Sequence, residues 1–111
     1  MLVKKIFWLT ILLLNGSHFL FAQSPWTIFD SQNSQLPGNT IRSIAIDSLN
    51  RKWVATDFGI AVVADTGWSV INTSNGLPSN AVKCVAIDKK GNVWAGTGSG
   101  GAAKFNGASW T

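Results

Sequence analysis

Apolar and polar positions alternate along this chain in short runs. Trp26-Thr-Ile-Phe29, Ile41-Arg-Ser-Ile-Ala-Ile46, Lys52-Trp-Val-Ala-Thr56, Ile60-Ala-Val-Val63 and Trp68-Ser-Val-Ile71 are each four to six residues long. Between them lie stretches rich in Ser, Asn, Asp, Gly and Pro, such as Asp30 to Asn39, Asp47 to Asn50, Asp57-Phe-Gly59 and Asp65-Thr-Gly67. The cycle then returns over 81–87, 92–97 and 101–105, with a further strand beginning at Trp110. Short strands at even spacing, bounded by turn formers, predict an all-β fold. Beyond residue 22 no segment sustains the 3.6-residue apolar period of a helix.

The return is a repeat in residues as well as in pattern. Leu36-Pro37 matches Leu77-Pro78, Ile46-Asp47 matches Ile87-Asp88, Trp53 to Thr56 matches Trp94 to Thr97, and Gly59 matches Gly100, all 41 positions apart. Trp26, Trp68 and Trp110 recur every 42. Four strands in about 42 residues is the arithmetic of a β-propeller blade. In that reading Ala45, Ala55, Ala86 and Ala95 suit the crowded inner strands, and Trp53, Trp68, Trp94 and Trp110 suit the packing between blades. The expected layout is an outer strand over 26–29, one blade of four antiparallel strands over 41–72, and a truncated blade over 81–111. About two blades fall short of the four to eight a ring needs. The expectation is therefore an incomplete propeller. Further blades, from a longer protein or from other copies of the chain, would close it.

The first 22 residues read differently. Lys4 and Lys5 precede the apolar Ile6 to Leu14, and Leu20-Phe-Ala22 ends on a small residue. That is the form of a secretory signal peptide cleaved after Ala22, and it predicts an exported, periplasmic or extracellular protein over 23–111. Removing Lys4 and Lys5 lowers Lys and Arg from 9 to 7 against 5 acidic residues, and the formal charge from +4 to +2. No basic cluster with interleaved aromatics remains to suggest nucleic acid. The one histidine, His18, leaves with the leader. Cys84 is the one cysteine, and its apolar strand predicts burial.

The second copy carries Trp68, Asn75-Gly-Leu-Pro-Ser-Asn80, Asp88-Lys-Lys-Gly-Asn-Val-Trp-Ala-Gly-Thr97 and Gly100. This resembles the two-component regulator propeller repeat. The first copy departs from it at Ser34-Gln-Leu-Pro-Gly-Asn39 and at Leu49-Asn50-Arg51, near where Gly91 would stand. The resemblance implies the periplasmic sensor half of a membrane-bound hybrid histidine kinase of Gram-negative bacteria, linked to carbohydrate detection. Related repeats also occur in exported propellers without a kinase.

Asp47 and Asp88 each end an apolar strand before a turn, which reads as an Asx-type turn ahead of a metal or ligand carboxylate. The sialidase Asp-box places Gly two and Trp five residues after Asp. Here Gly91 and Trp94 stand three and six after Asp88, so that match fails. Gly96-Thr-Gly-Ser-Gly-Gly101 joins two strands with no Gly-Lys-Ser/Thr behind it, which predicts a tight turn and no phosphate loop. The residues after 22 include neither His nor Glu, so no catalytic constellation and no cofactor or metal is expected. A ligand, an oligosaccharide by the family resemblance, would meet the mouth of the central channel. The better site residues are those that break the repeat. Asp57 and Phe58 replace Gly98 and Ser99 and suit hydroxyl bonding and sugar stacking. Arg42 and Lys83, at the start of the inner strands, come second. The other reading is a structural fragment without independent activity, with Phe58 packed as scaffold.

Overall fold

The computed structural model describes residues 25–111, so the leader expected over 1–22 lies outside the described residues. Among the described residues, seven strands form two antiparallel sheets. Sheet one runs β1 (Ile41–Ile46), β2 (Lys52–Thr56), β3 (Gly59–Ala64) and β4 (Gly67–Ile71), paired in that order. Sheet two runs β5 (Val82–Ile87), β6 (Val93–Thr97) and β7 (Ala102–Phe105). A 3-10 turn at Thr73–Asn75 connects them, capped by Asn72 and closed by Gly76 in the left-handed region. The fold is all-β, two blades of a propeller, with β1 and β5 innermost.

Strand alternation gives each sheet two faces, and the blades stack front to back. The front of sheet one presents Ala45, Trp53, Ala55, Ile60, Val62 and Ile71. The back of sheet two answers with Leu77, Val82, Val85, Val93 and Ala95, and these residues make one core. Trp53 is its largest buried side chain. The Ser43 hydroxyl joins the inner strands, accepting from the Val85 N–H at 3.2 Å and donating to the Val85 carbonyl at 3.4 Å.

Why two periods coexist is visible in one turn. Asp57 and Phe58 alone link β2 to β3, with Thr56 opposite Gly59. Gly98 to Gly101 link β6 to β7, and the Thr97 N–H reaches the Gly101 carbonyl at 2.9 Å, so three residues stand between Thr97 and Gly101 where two stand between Thr56 and Gly59. The extra residue moves every later equivalence from 41 to 42. The structural counterpart of Gly59 is therefore Gly101 and not Gly100. Both take positive φ, and both carbonyls accept from the threonine hydroxyl that ends the preceding strand, at 2.8 and 2.7 Å.

Two local expectations are corrected, at Trp26 to Phe29 and at Cys84, and the strand expected to begin at Trp110 is present as its first bridge. Trp26 to Phe29 lies outside both sheets, because an outermost strand needs the inner strands of its own blade beside it. Its Phe29 ring instead packs on Trp68 at 5.5 Å. The bridge at Trp110 pairs it with Phe105. Cys84 is exposed, not buried. A bulge between Val82 and Cys84 turns Val82 and Val85 toward sheet one and leaves Cys84 on the opposite face.

Candidate functional site

Both inner strands begin with the same irregularity. The register shifts between Ile41 and Ser43 in β1, and between Val82 and Cys84 in β5. The extra residue is Arg42 in one case and Lys83 in the other. A β-bulge re-aims the side chain it inserts, and here it directs a cation to the same rim of each blade.

Asp57 stands between them, one residue past the end of β2. It accepts from Arg42 Nε and from the terminal guanidinium nitrogen, both at 2.9 Å. Lys83 Nζ approaches it at 3.7 Å. The Arg42 hydrogen bond outweighs the desolvation of the carboxylate, so the pKa of Asp57 is lowered, while the same bond raises that of Arg42. The cluster therefore holds two cations and one anion, with Lys83 the more loosely held. In the second blade the position of Asp57 is taken by Gly98, so Lys83 has no carboxylate of its own and leans back to the first blade.

Phe58 lies beside this cluster, 66% exposed. One ring edge rests on Gly38, where an added Cβ would come within 2.7 Å of Phe58 Cδ2. The equivalent pair in the second blade is Ser79 and Ser99, whose hydroxyls hydrogen-bond at 3.3 Å. An aromatic on a glycine in one blade is thus exchanged for two serines in the other. The four residues singled out from the sequence lie at one rim, and three of them are in direct ionic contact. The bidentate pair was readable only from strand register, since Ile41 opposite Thr56 brings residues fifteen apart together.

The repeated aspartates do something else. Asp47 Oδ1 accepts from the N–H groups of Leu49 and Arg51, and its Oδ2 from Arg51 Nε and Trp53 Nε1. Asp88 repeats this with Lys90, Asn92, the Asn92 side chain and Trp94 Nε1. Each carboxylate clamps its turn and orients the blade's tryptophan, with its oxygens occupied by four donors. Asn50 adopts φ 64° where Gly91 has 87°, so the departure from the repeat at Leu49-Asn50-Arg51 preserves the turn.

The fold, the clamped tryptophans and the loops define a pair of propeller blades. Residues 76–99 match the family model of the two component regulator propeller. Among solved structures it is similar to the extracellular domain of a hybrid two component system from B. thetaiotaomicron, at 28% identity and a TM-score of 0.67. That alignment covers 82% of this chain and 13% of the other, so the chain spans a small part of its neighbour's length. No curated protein matches it. No helix among the described residues is long and apolar enough to cross a membrane.

Proposed function

We propose that this chain is part of an exported, non-catalytic sensor propeller that binds an oligosaccharide at the rim formed by Arg42, Asp57, Phe58 and Lys83. The observation that carries the reading is the bulge-aimed cation pair around Asp57, next to an exposed aromatic ring. The neighbouring rim of the second blade lacks both the carboxylate and the ring. An aromatic face with flanking donors and an acceptor is the equipment for stacking a sugar and bonding its hydroxyls.

A structural reading has its own support. Both oxygens of Asp57 are engaged by Arg42, and Phe58 touches Gly38. Calorimetric titration of the exported chain with neutral and acidic oligosaccharides separates the two, with melts run in parallel. Under the binding reading Phe58→Ala weakens affinity by roughly 5- to 150-fold, the range of a lost interface anchor of about 1–3 kcal/mol, and leaves Tm nearly unchanged. A fall in Tm with affinity retained, or no binding by any sugar in the panel, assigns the rim to the scaffold.

Export has a separate test. Mass spectrometry of exported material is expected to find Gln23, free or cyclised to pyroglutamate, at the N-terminus. An intact Met1 in the membrane fraction would overturn cleavage after Ala22.

A further inference from the structure

The interface between the two blades is repeated, unfilled, on the outside of each. The back of sheet one carries Leu36, Ile41, Ile44, Val54, Val63 and Trp68, lining an apolar groove of about 360 Å³ with Phe29 and Lys52. Repeat equivalence maps those six onto Leu77, Val82, Val85, Ala95, Phe105 and Trp110, and all six of these pack in the inter-blade core. The same holds for the other partner. Trp53 on the front of sheet one is 2% exposed, while its equivalent on the front of sheet two, Trp94, is 44% exposed. Each tryptophan is held by its own aspartate in the same way, Trp53 Nε1 to Asp47 at 2.9 Å and Trp94 Nε1 to Asp88 at 3.0 Å. The knob on one open face is preformed, and so is the apolar surface on the other.

We propose that a second copy of this chain docks the back of its sheet one onto the front of sheet two, continuing the blade stack head to tail. The internal interface is the template. Ala45 and Ala86 are equivalent small residues on the fronts, and Ser43, which bridges to Val85, is equivalent to Cys84. In the docked pair Cys84 of one copy therefore faces Ile44 of the next. Such a contact is heterologous, so it grows into a ring where the rotation closes and into a filament where it does not. A ring of four to eight blades corresponds to about two to four copies. Lys52 and Lys104 stand where the template has Val93 and Val62. Their stems cover apolar surface, and their like charge makes association stronger as salt rises.

The opposite faces of one chain carry Ile44 and Cys84, so these two positions cannot meet within a molecule. The exported full chain with Ile44→Cys, mildly oxidised, is expected to give a ladder of dimers, trimers and higher species, each link joining the new thiol at position 44 to Cys84 of the next copy. Ile44 is 58% exposed, so the substitution leaves the core intact. The double variant Ile44→Cys, Cys84→Ser is expected to give no ladder. In the unmodified chain, Cys84 alkylation is expected to slow as protein concentration rises, with Trp94→Ala abolishing that protection. A chain that stays monomeric by light scattering at millimolar concentration and forms no such link overturns the proposal. So does oxidation that pairs only Cys84 with Cys84, or only position 44 with position 44, which indicates like faces meeting. Native mass spectrometry showing lipid seated on the open faces would overturn it as well.

Discussion

Trp53→Ala is expected to cost about 3–5 kcal/mol, the range for emptying a large buried aromatic site, while Trp94→Ala in the dilute chain costs clearly less, losing the indole bond to Asp88 and little packing. The contrast matters more than either value. Both residues occupy the same place in the repeat, with the same aspartate and the same turn. They differ in what covers them. Trp53 lies between the sheets, with Phe105 at 5.8 Å and the Arg51 guanidinium 5.6 Å from its ring. Trp94 has Lys104 over it at 5.7 Å and otherwise an open face. Domains of this size are stabilised by only about 5–15 kcal/mol, so losing Trp53 takes much of what two blades have. Urea unfolding followed by circular dichroism measures both variants at a concentration where the chain is dispersed. Equal losses at the two positions would mean that blade-to-blade packing is not what holds the sheets.

The architecture was legible because the repeat writes each structural position twice. Leu36 and Leu77, Asp47 and Asp88, Trp53 and Trp94 identify the blade without knowledge of their contacts. What one copy leaves ambiguous, the second narrows. Positions that depend on the third dimension were less readable. Cys84 sits in an apolar run that reads as buried, yet a one-residue bulge at Lys83 sends it to the open face. Trp26 to Phe29 alternates as a strand should, but pairing needs neighbours that pattern cannot supply. At the rim, the break in the repeat pointed to Asp57 and Phe58, and the start of the inner strands to Arg42 and Lys83. Neither showed that Arg42 takes both oxygens of Asp57, because that depends on hairpin register. The exchange of Gly38 and Phe58 for Ser79 and Ser99 was present in the sequence as two separate departures. Only their contact shows it to be a single paired change.

Acid is expected to unfold this chain, with the aspartate clamps as the cause. Partial burial by itself raises the pKa of Asp47. The N–H donors of Trp53, Arg51 and Leu49 outweigh that and lower it from 3.8 to about 2. Asp88 is held well below the usual carboxylate range by the Trp94 indole and the Asn92 side chain. A carboxylate with a depressed folded pKa binds fewer protons folded than unfolded, so stability rises with pH through that window. The clamp contribution is then complete above the unfolded pKa of 3.8 and is lost as pH falls through about 2 for Asp47, and lower still for Asp88. Tm is expected to be flat down to about pH 5 and to fall steeply between about pH 4 and 2. Asp47→Asn keeps one carbonyl acceptor but loses the charge and the second acceptor oxygen, leaving donors among Arg51 and Trp53 short of partners. Hydrogen bonds to charged groups are worth about 1.5–3 kcal/mol, and a loss of that order is expected at neutral pH. The gap between variant and parent should close as the parent's own Asp47 becomes protonated. A gap of the same size at about pH 2 as at pH 7 would mean that the ionised clamp contributes nothing, and that Asp47 acts through its shape alone.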